Sequence, residues 1–231
     1  MSKLLFAALV ASLAFTACKS EKEAETAEET TTTEQTETKS ADTVVEGVEI
    51  PVTVLNANLA TEDNLKAVGM SDEMIAKVIE AQPFLSMNDF DALLGDTANK
   101  EELYKAIFVP FNLNTTAEAD FKMIPGVGDK MAHEFEEYRP YTSVAQFRKE
   151  IGKYVDEAQV EYYLNYVFVP VELNTASNED IKALPGVGDR MTHEFEEYRP
   201  YTSMEQFRKE IGKYVDDKEL ARLERLVYLK Q

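Results

Sequence analysis

Towards the C-terminal end, apolar positions recur at helical spacing in short stretches broken by turns. Ile181 and Leu184 fall at i, i+3 behind Ser177-Asn178-Glu179-Asp180, a run suited to capping a helix start. Asp189 opens a second helical stretch with Met191, Phe195 and Tyr198 on one side. Arg199-Pro200 closes it, because the residue before a proline is pushed out of the helical region. Ser203-Met204-Glu205-Gln206 reads as a capping box for a third helix carrying Phe207 and Ile211, which Gly212 ends. Asp216-Asp217-Lys218-Glu219 begins a fourth with Leu220, Leu223, Leu226 and Val227. The pattern predicts four short helices in about sixty residues joined by tight turns, an all-α fold. Strand-like alternation is confined to residues 48–54, too short and isolated for a sheet.

The helical pattern repeats. Leu113-Asn114-Thr115 returns as Leu173-Asn174-Thr175, and the shift of 60 holds without a gap to the C-terminus. Between Pro125 and Asp156 the copies differ only at Lys130/Arg190, Ala132/Thr192, Val144/Met204 and Ala145/Glu205. An older copy precedes them, starting at Leu55-Asn56-Ala57 and including Ser86-Met87-Asn88-Asp89-Phe90. The expected organisation is residues 50–112, 113–172 and 173–231 as three repeats, with 1–17 and 18–49 as separate N-terminal segments.

Each later copy contains Pro-Gly-Val-Gly-Asp, at Pro125–Asp129 and Pro185–Asp189, between two helical stretches. Such a turn leaves the first N–H groups of the following helix without partners inside it, which favours an anion. The first copy reads Val68-Gly69-Met70-Ser71-Asp72-Glu73, with serine for the second glycine and glutamate for the basic residue that follows. It is expected to contribute packing and no phosphate contact.

These residues resemble the helix-hairpin-helix family in its ComEA-type version, found in bacterial DNA uptake. Leu113-Asn114-Thr115 and Ile124-Pro125-Gly126-Val127-Gly128-Asp129-Lys130-Met131-Ala132 follow the family pattern throughout. The second copy follows it with Arg190 as the basic residue and Thr192 in place of alanine. The resemblance implies tandem helix-hairpin-helix repeats whose amides hold DNA phosphates. The residues it implies are Gly126, Val127, Gly128 and Lys130, and Gly186, Val187, Gly188 and Arg190. Contacts to phosphate alone carry no base information, so the implied binding to double-stranded DNA is independent of sequence, and weak. In the second half of each repeat Ile151-Gly152-Lys153-Tyr154 and Ile211-Gly212-Lys213-Tyr214 keep one glycine, which favours capping and packing over a second phosphate site.

Charge works against that ligand. The chain has 24 basic and 43 acidic side chains and a net charge of −19. Residues 113–231 hold 16 basic against 23 acidic residues, a net −7. A nucleic-acid-binding domain normally presents a basic face. Here the basic residues gather locally, as Arg139, Arg148, Lys149 and Lys153, and again as Arg199, Arg208, Lys209 and Lys213. The competing expectation is a structural or protein-interaction scaffold of the cell envelope, with the hairpins as rigid corners.

Residues 4–17 form an almost continuous apolar run behind Lys3, the length of a signal-peptide core and short for a membrane span. The run ends Ala14-Phe15-Thr16-Ala17-Cys18, which resembles a bacterial lipoprotein cleavage site with lipidation at Cys18. The alternative is a soluble secreted protein cleaved nearby. The following thirty residues carry ten acids, three lysines and almost no aliphatic side chains, a composition expected to stay disordered as a tether. Together these imply an exported, membrane-anchored envelope protein, periplasmic or surface-exposed.

Enzymatic chemistry has little to stand on. His133 and His193 are the only histidines, each with a glutamate at i+4, Glu137 and Glu197. One histidine and one carboxylate fall short of a metal site. No nucleophile triad or cofactor motif is present, and no enzyme activity, cofactor or metal is expected. The aromatics Phe135, Tyr138, Tyr141, Phe147 and Tyr154 recur at helical spacing and are expected in the core.

Overall fold

The computed structural model describes residues 53–96 and 99–230. The signal segment, Cys18 and the acidic tether lie outside the described residues. Within them the chain is mostly helical, as expected from the pattern, with twelve helices. The first repeat runs β1 (Leu55–Asn56), α1 (Glu62–Ala67), α2 (Asp72–Ala81), α3 (Met87–Leu94), α4 (Lys100–Ala106) and β2 (Ile107–Phe108). The second runs β3 (Phe111–Asn112), α5 (Glu118–Phe121), α6 (Asp129–Glu137), α7 (Val144–Ile151), α8 (Glu157–Tyr163) and β4 (Val167–Phe168). The third follows the same order: β5 (Val171–Glu172), α9 (Asn178–Lys182), α10 (Asp189–Glu197), α11 (Met204–Ile211), α12 (Asp217–Glu224) and β6 (Val227–Tyr228).

The strands correct the sequence expectation. Each repeat closes on a two-residue parallel pair between its first and last elements: Leu55 beside Ile107, Phe111 beside Val167, and Val171 beside Val227. Two residues are too few to show alternation, and their partners lie more than fifty positions away. The pairing also starts the later repeats two residues ahead of Leu113 and Leu173.

Three further bonds recur and define the frame. Asn114 donates from Nδ2 to the Tyr141 carbonyl at 2.8 Å and accepts the Tyr141 N–H at 2.7 Å. Asn174 does the same with Tyr201, and Asn58 with Phe84. The first copy is therefore in register through Ala57-Asn58-Leu59, not through Leu55-Asn56-Ala57. Next, Arg139 donates to the carbonyls of Leu113 and Thr116, and Arg199 to those of Leu173 and Ala176. Gln82 takes that role in the first repeat, on Ala57 and Ala60. Finally, the bond following each of these three residues is a cis peptide to proline.

Local chemistry sets the helix starts. Thr61, Ser71, Ser86, Ser143, Asp156, Ser177, Ser203 and Asp216 each accept a backbone N–H two or three residues into their helix. Helices this short are marginal alone, so burial of their apolar faces must hold them. The first two repeats share one core, in which Phe108, Phe111, Phe121 and Phe135 touch edge to face in series. The third repeat has its own core, from Phe168 to Val227.

The first and third repeats also meet. Arg225 donates to the Phe84 carbonyl at 3.0 Å, and Lys218 to the Glu80 carbonyl at 3.2 Å. Burial holds the Arg225 guanidinium below its ordinary pKa, and Arg222 nearby adds repulsion.

Candidate functional site

In both later repeats the Pro-Gly-Val-Gly-Asp turn forms as a hairpin between two helices. Gly126 and Gly186 have φ of +82° and +71°, in the left-handed region that favours glycine. Val127 and Val187 point into the core, and each N–H bonds the carbonyl of Ile124 or Leu184 at 3.0 and 3.1 Å. Gly128 and Gly188 are the N-cap residues of α6 and α10 and carry no side chain to cap them. The first backbone bonds into these helices are Ala132 N–H to Gly128 and Thr192 N–H to Gly188, both 3.0 Å. The amides just ahead of those residues are thus left at an exposed turn.

The first repeat differs at this point. Gly69 keeps the left-handed φ, at +85°, but Ser71 caps α2 with its own Oγ, which accepts the Met74 N–H at 3.3 Å. The second residue of α2, Glu73, pairs with Lys77 at 2.7 Å.

Lys130 and Arg190 are exposed and form no ion pair among the described residues. Each instead lies over a tyrosine ring from the second half of its repeat. Lys130 Nζ is 5.9 Å from the Tyr154 ring centre, and the Arg190 guanidinium is 5.9 Å from that of Tyr214. Lys153 and Lys213 lie over Tyr138 and Tyr198 at 4.7 and 4.9 Å, and each is ion-paired, with Glu150 and Glu210. The two tyrosine hydroxyls within each repeat are 2.7 Å apart. The hairpin's basic residue and the lysine of the second half therefore share one patch. Gly152 and Gly212 end α7 and α11 with right-handed φ of −61° and form no second glycine turn of the first kind.

The other basic residues leave the patch. Arg139 and Arg199 turn inward to carbonyls, and burial pushes the Arg139 guanidinium pKa down. Arg148 is bound to Glu161 and Arg208 to Glu224, both at 2.6 Å. Lys149 and Lys209 lie 3.4 and 3.8 Å from Glu150 and Glu210.

Two lysines that sequence reasoning passed over serve the site. Lys122 reaches Asp129 at 3.0 Å and Lys182 reaches Asp189 at 2.6 Å, offsetting the carboxylate at the start of each helix. The Asp189 carboxyl is held below its ordinary pKa by that hydrogen bond and charge. The signal was the recurrence of Lys seven places before Asp in both copies.

Two expectations change. Phe135, Tyr141 and Phe147 are core residues as the spacing suggested, but Tyr154 is exposed and Tyr138 half-buried. His133 faces Glu118 at 3.5 Å rather than Glu137, whereas His193 does sit 3.7 Å from Glu197. Among the described residues no cluster of three or more His, Cys, Asp or Glu side chains could hold a metal. No described helix is long and apolar enough to cross a membrane.

Comparison with family models, curated proteins and solved structures finds no match to this chain. Its own three repeats supply the internal comparison.

Proposed function

We propose that the second and third repeats are helix-hairpin-helix units that bind double-stranded DNA without sequence preference. Backbone amides after Gly128 and Gly188 hold phosphates, and Lys130 and Arg190 supply the charge; the Val127 and Val187 N–H groups expected to join them are already bonded to Ile124 and Leu184 inside the turn. One observation carries this reading: α6 and α10 begin on an uncapped glycine beside an unpaired cation, while the first repeat fills the same place with Ser71 and Glu73. The anchoring at Cys18 and the envelope location belong to the same proposal, as does a role in DNA uptake. Contacts of this kind are electrostatic, so binding is weak and steeply salt-dependent.

The test installs the first repeat's cap in the other two. Gly128→Ser/Gly188→Ser places a Cβ where no atom lies within 4 Å, on backbone that any residue adopts, so the fold is retained. The new hydroxyls occupy the amides, and a labelled duplex titrated at low salt should bind at least tenfold more weakly than to wild type. Equal binding by both proteins sinks the amide site.

A second reading, an envelope scaffold that meets proteins, is favoured by one contact. The third hairpin packs on the first repeat through Leu59, using its turn as a rigid corner within the chain.

A further inference from the structure

All three repeats meet at a cleft of about 500 Å³, away from the glycine hairpins. That volume suits a small molecule. Its apolar walls include Leu85 of the first repeat and Phe111 and Phe168 of the second, and its cation is Arg225 of the third. Phe111 and Phe168 are buried and fix an aromatic floor, whereas Leu85 is 61% exposed.

Arg225 is held without a paired counter-charge. Its Nη1 donates to the Phe84 carbonyl at 3.0 Å, and the guanidinium forms no ion pair among the described residues. The Nε and Nη2 groups form the edge that a carboxylate can take with two parallel bonds, and neither has a partner among the described residues. Asp89 attracts the guanidinium only from beyond ion-pair distance, while Arg222 repels it. A cation drawn out of water beside a second arginine calls for an anion. Asp120 also lines the cleft but forms no ion pair with Arg225, and that acid makes a second negative charge on a bound ligand unfavourable.

The frame asks for neither Arg225 nor Leu85. At the place of Arg225 the second repeat has Asn165, which donates to the Glu161 and Tyr162 carbonyls of the preceding helix, both at 3.0 Å. The first has Lys105, paired with Glu102 at 2.6 Å. Both are satisfied within their own repeat, and the third repeat instead sends a charge to the junction. At the place of Leu85 the other repeats have Thr142 and Thr202, each with its hydroxyl 3.0 Å from the Oε1 of a glutamine four residues on. Leucine cannot make that bond. Two departures from the repeat pattern thus converge on one cleft, one adding apolar surface and the other an unpaired cation.

We propose that this cleft binds a small monocarboxylate with an apolar body. The carboxylate sits on the Nε–Nη2 edge of Arg225 and the body against Leu85, Phe111 and Phe168. The site is independent of the DNA reading, since no hairpin residue lines it. The same groups occur on a free acid and at the end of an apolar peptide.

The test titrates the purified full chain with octanoate and follows the Leu85 methyl and Arg225 Nε–H signals by NMR. Octanoate should shift both signals saturably. 1-Octanol, which keeps the body and lacks the charge, should bind at least roughly tenfold more weakly. Arg225→Gln should bring octanoate to the level of octanol. That substitution also alters a contact between repeats, so Leu85→Thr is the second variant. It installs the residue of the other two repeats at an exposed position, should melt with wild type, and should weaken octanoate roughly three- to tenfold. Acetyl-leucyl-leucine tells the two sources apart: tighter binding than octanoate assigns a chain end, weaker binding a free acid. No saturable shift with either acid overturns the proposal, as does equal binding of octanol or unchanged octanoate binding in either variant. Inorganic phosphate moving both signals as octanoate does would mark an adventitious anion site and overturn it too.

Discussion

Leu59 of the first repeat lies against Gly186 of the third: a Cβ built on Gly186 would stand 2.6 Å from Leu59 Cδ1 and 3.1 Å from Arg222 Nη2. The matching glycine of the second repeat, Gly126, has no atom within 4 Å of that point. The two hairpins have nearly the same sequence and different surroundings. Arg222 is buried, gripped by Glu219 at 2.7 Å, and donates to the Pro185 carbonyl. Tyr162 does that work in the second repeat, its hydroxyl 3.4 Å from the Pro125 carbonyl. Alanine at either glycine meets the left-handed backbone penalty of about 1–2 kcal/mol. Gly186→Ala must also push Leu59 away, so in denaturant unfolding it should destabilise more than Gly126→Ala. Equal losses would mean that the contact between repeats contributes nothing.

The asparagine brace makes a second prediction. Asn114 and Asn174 each exchange two bonds with the backbone of a residue 27 positions later, Tyr141 or Tyr201. Replacing either by alanine leaves a backbone N–H and a carbonyl without partners beside the core. The expected cost is about 1–3 kcal/mol for each substitution, read from chemical denaturation.

Acid sensitivity has an identifiable contributor at Glu172. Burial alone would raise its pKa, but bonds from the Thr175 hydroxyl and the N–H groups of Lys230, Asn174 and Thr175 hold it below the ordinary 4.5. A depressed folded-state pKa stabilises fully above the ordinary value, and the gain is lost as pH falls through the folded value. Asn56 and Asn112 occupy the same place in the other repeats and accept the matching N–H at 2.9 Å. Glu172→Asn should therefore keep the turn, and its Tm should fall less steeply than that of wild type below about pH 4.5. Parallel curves would remove Glu172 from the account.

Much of this architecture is written locally and could be read in advance. Ser177, Ser203 and Asp216 cap the helices their sequence pattern marked, and glycine precedes each hairpin helix where the motif placed it. What escaped were features made by distant partners. The parallel pairs join residues such as Phe111 and Val167, whose two-residue strands carry no periodic signal. Arg139 stands 3.5 Å from Glu136, a pairing its sequence neighbourhood suggests, but the carbonyls of Leu113 and Thr116 that it bonds lie 26 and 23 positions away and leave no local signal. Tyr154 has the spacing of a core residue, yet the hydroxyl of Tyr138 and the ammonium of Lys130 keep it at the surface. Repetition within the chain was the more informative signal, because the first copy shows which residues the frame can do without.

That copy can be rebuilt. Ser71→Gly alone uncaps α2 at a cost of a few tenths of a kcal/mol and should leave duplex binding unchanged. Ser71→Gly/Glu73→Lys restores an open turn and one cation, and should give a small gain at low salt. Because Thr97 stands in the sequence where Tyr154 lies beneath Lys130, the new cation lacks that tyrosine, and the gain should stay below the loss caused by Lys130→Ala. A gain equal to that loss would show that the tyrosine contributes nothing to binding.

The central claim is that two hairpins on an acidic protein bind phosphate through a few local cations, and a salt series on one duplex tests it most directly. The two unpaired cations, Lys130 and Arg190, predict a log–log salt slope of about −2 for wild type, close to zero in Lys130→Ala/Arg190→Ala. No binding at low salt, or a slope that the double substitution leaves unchanged, would contradict it.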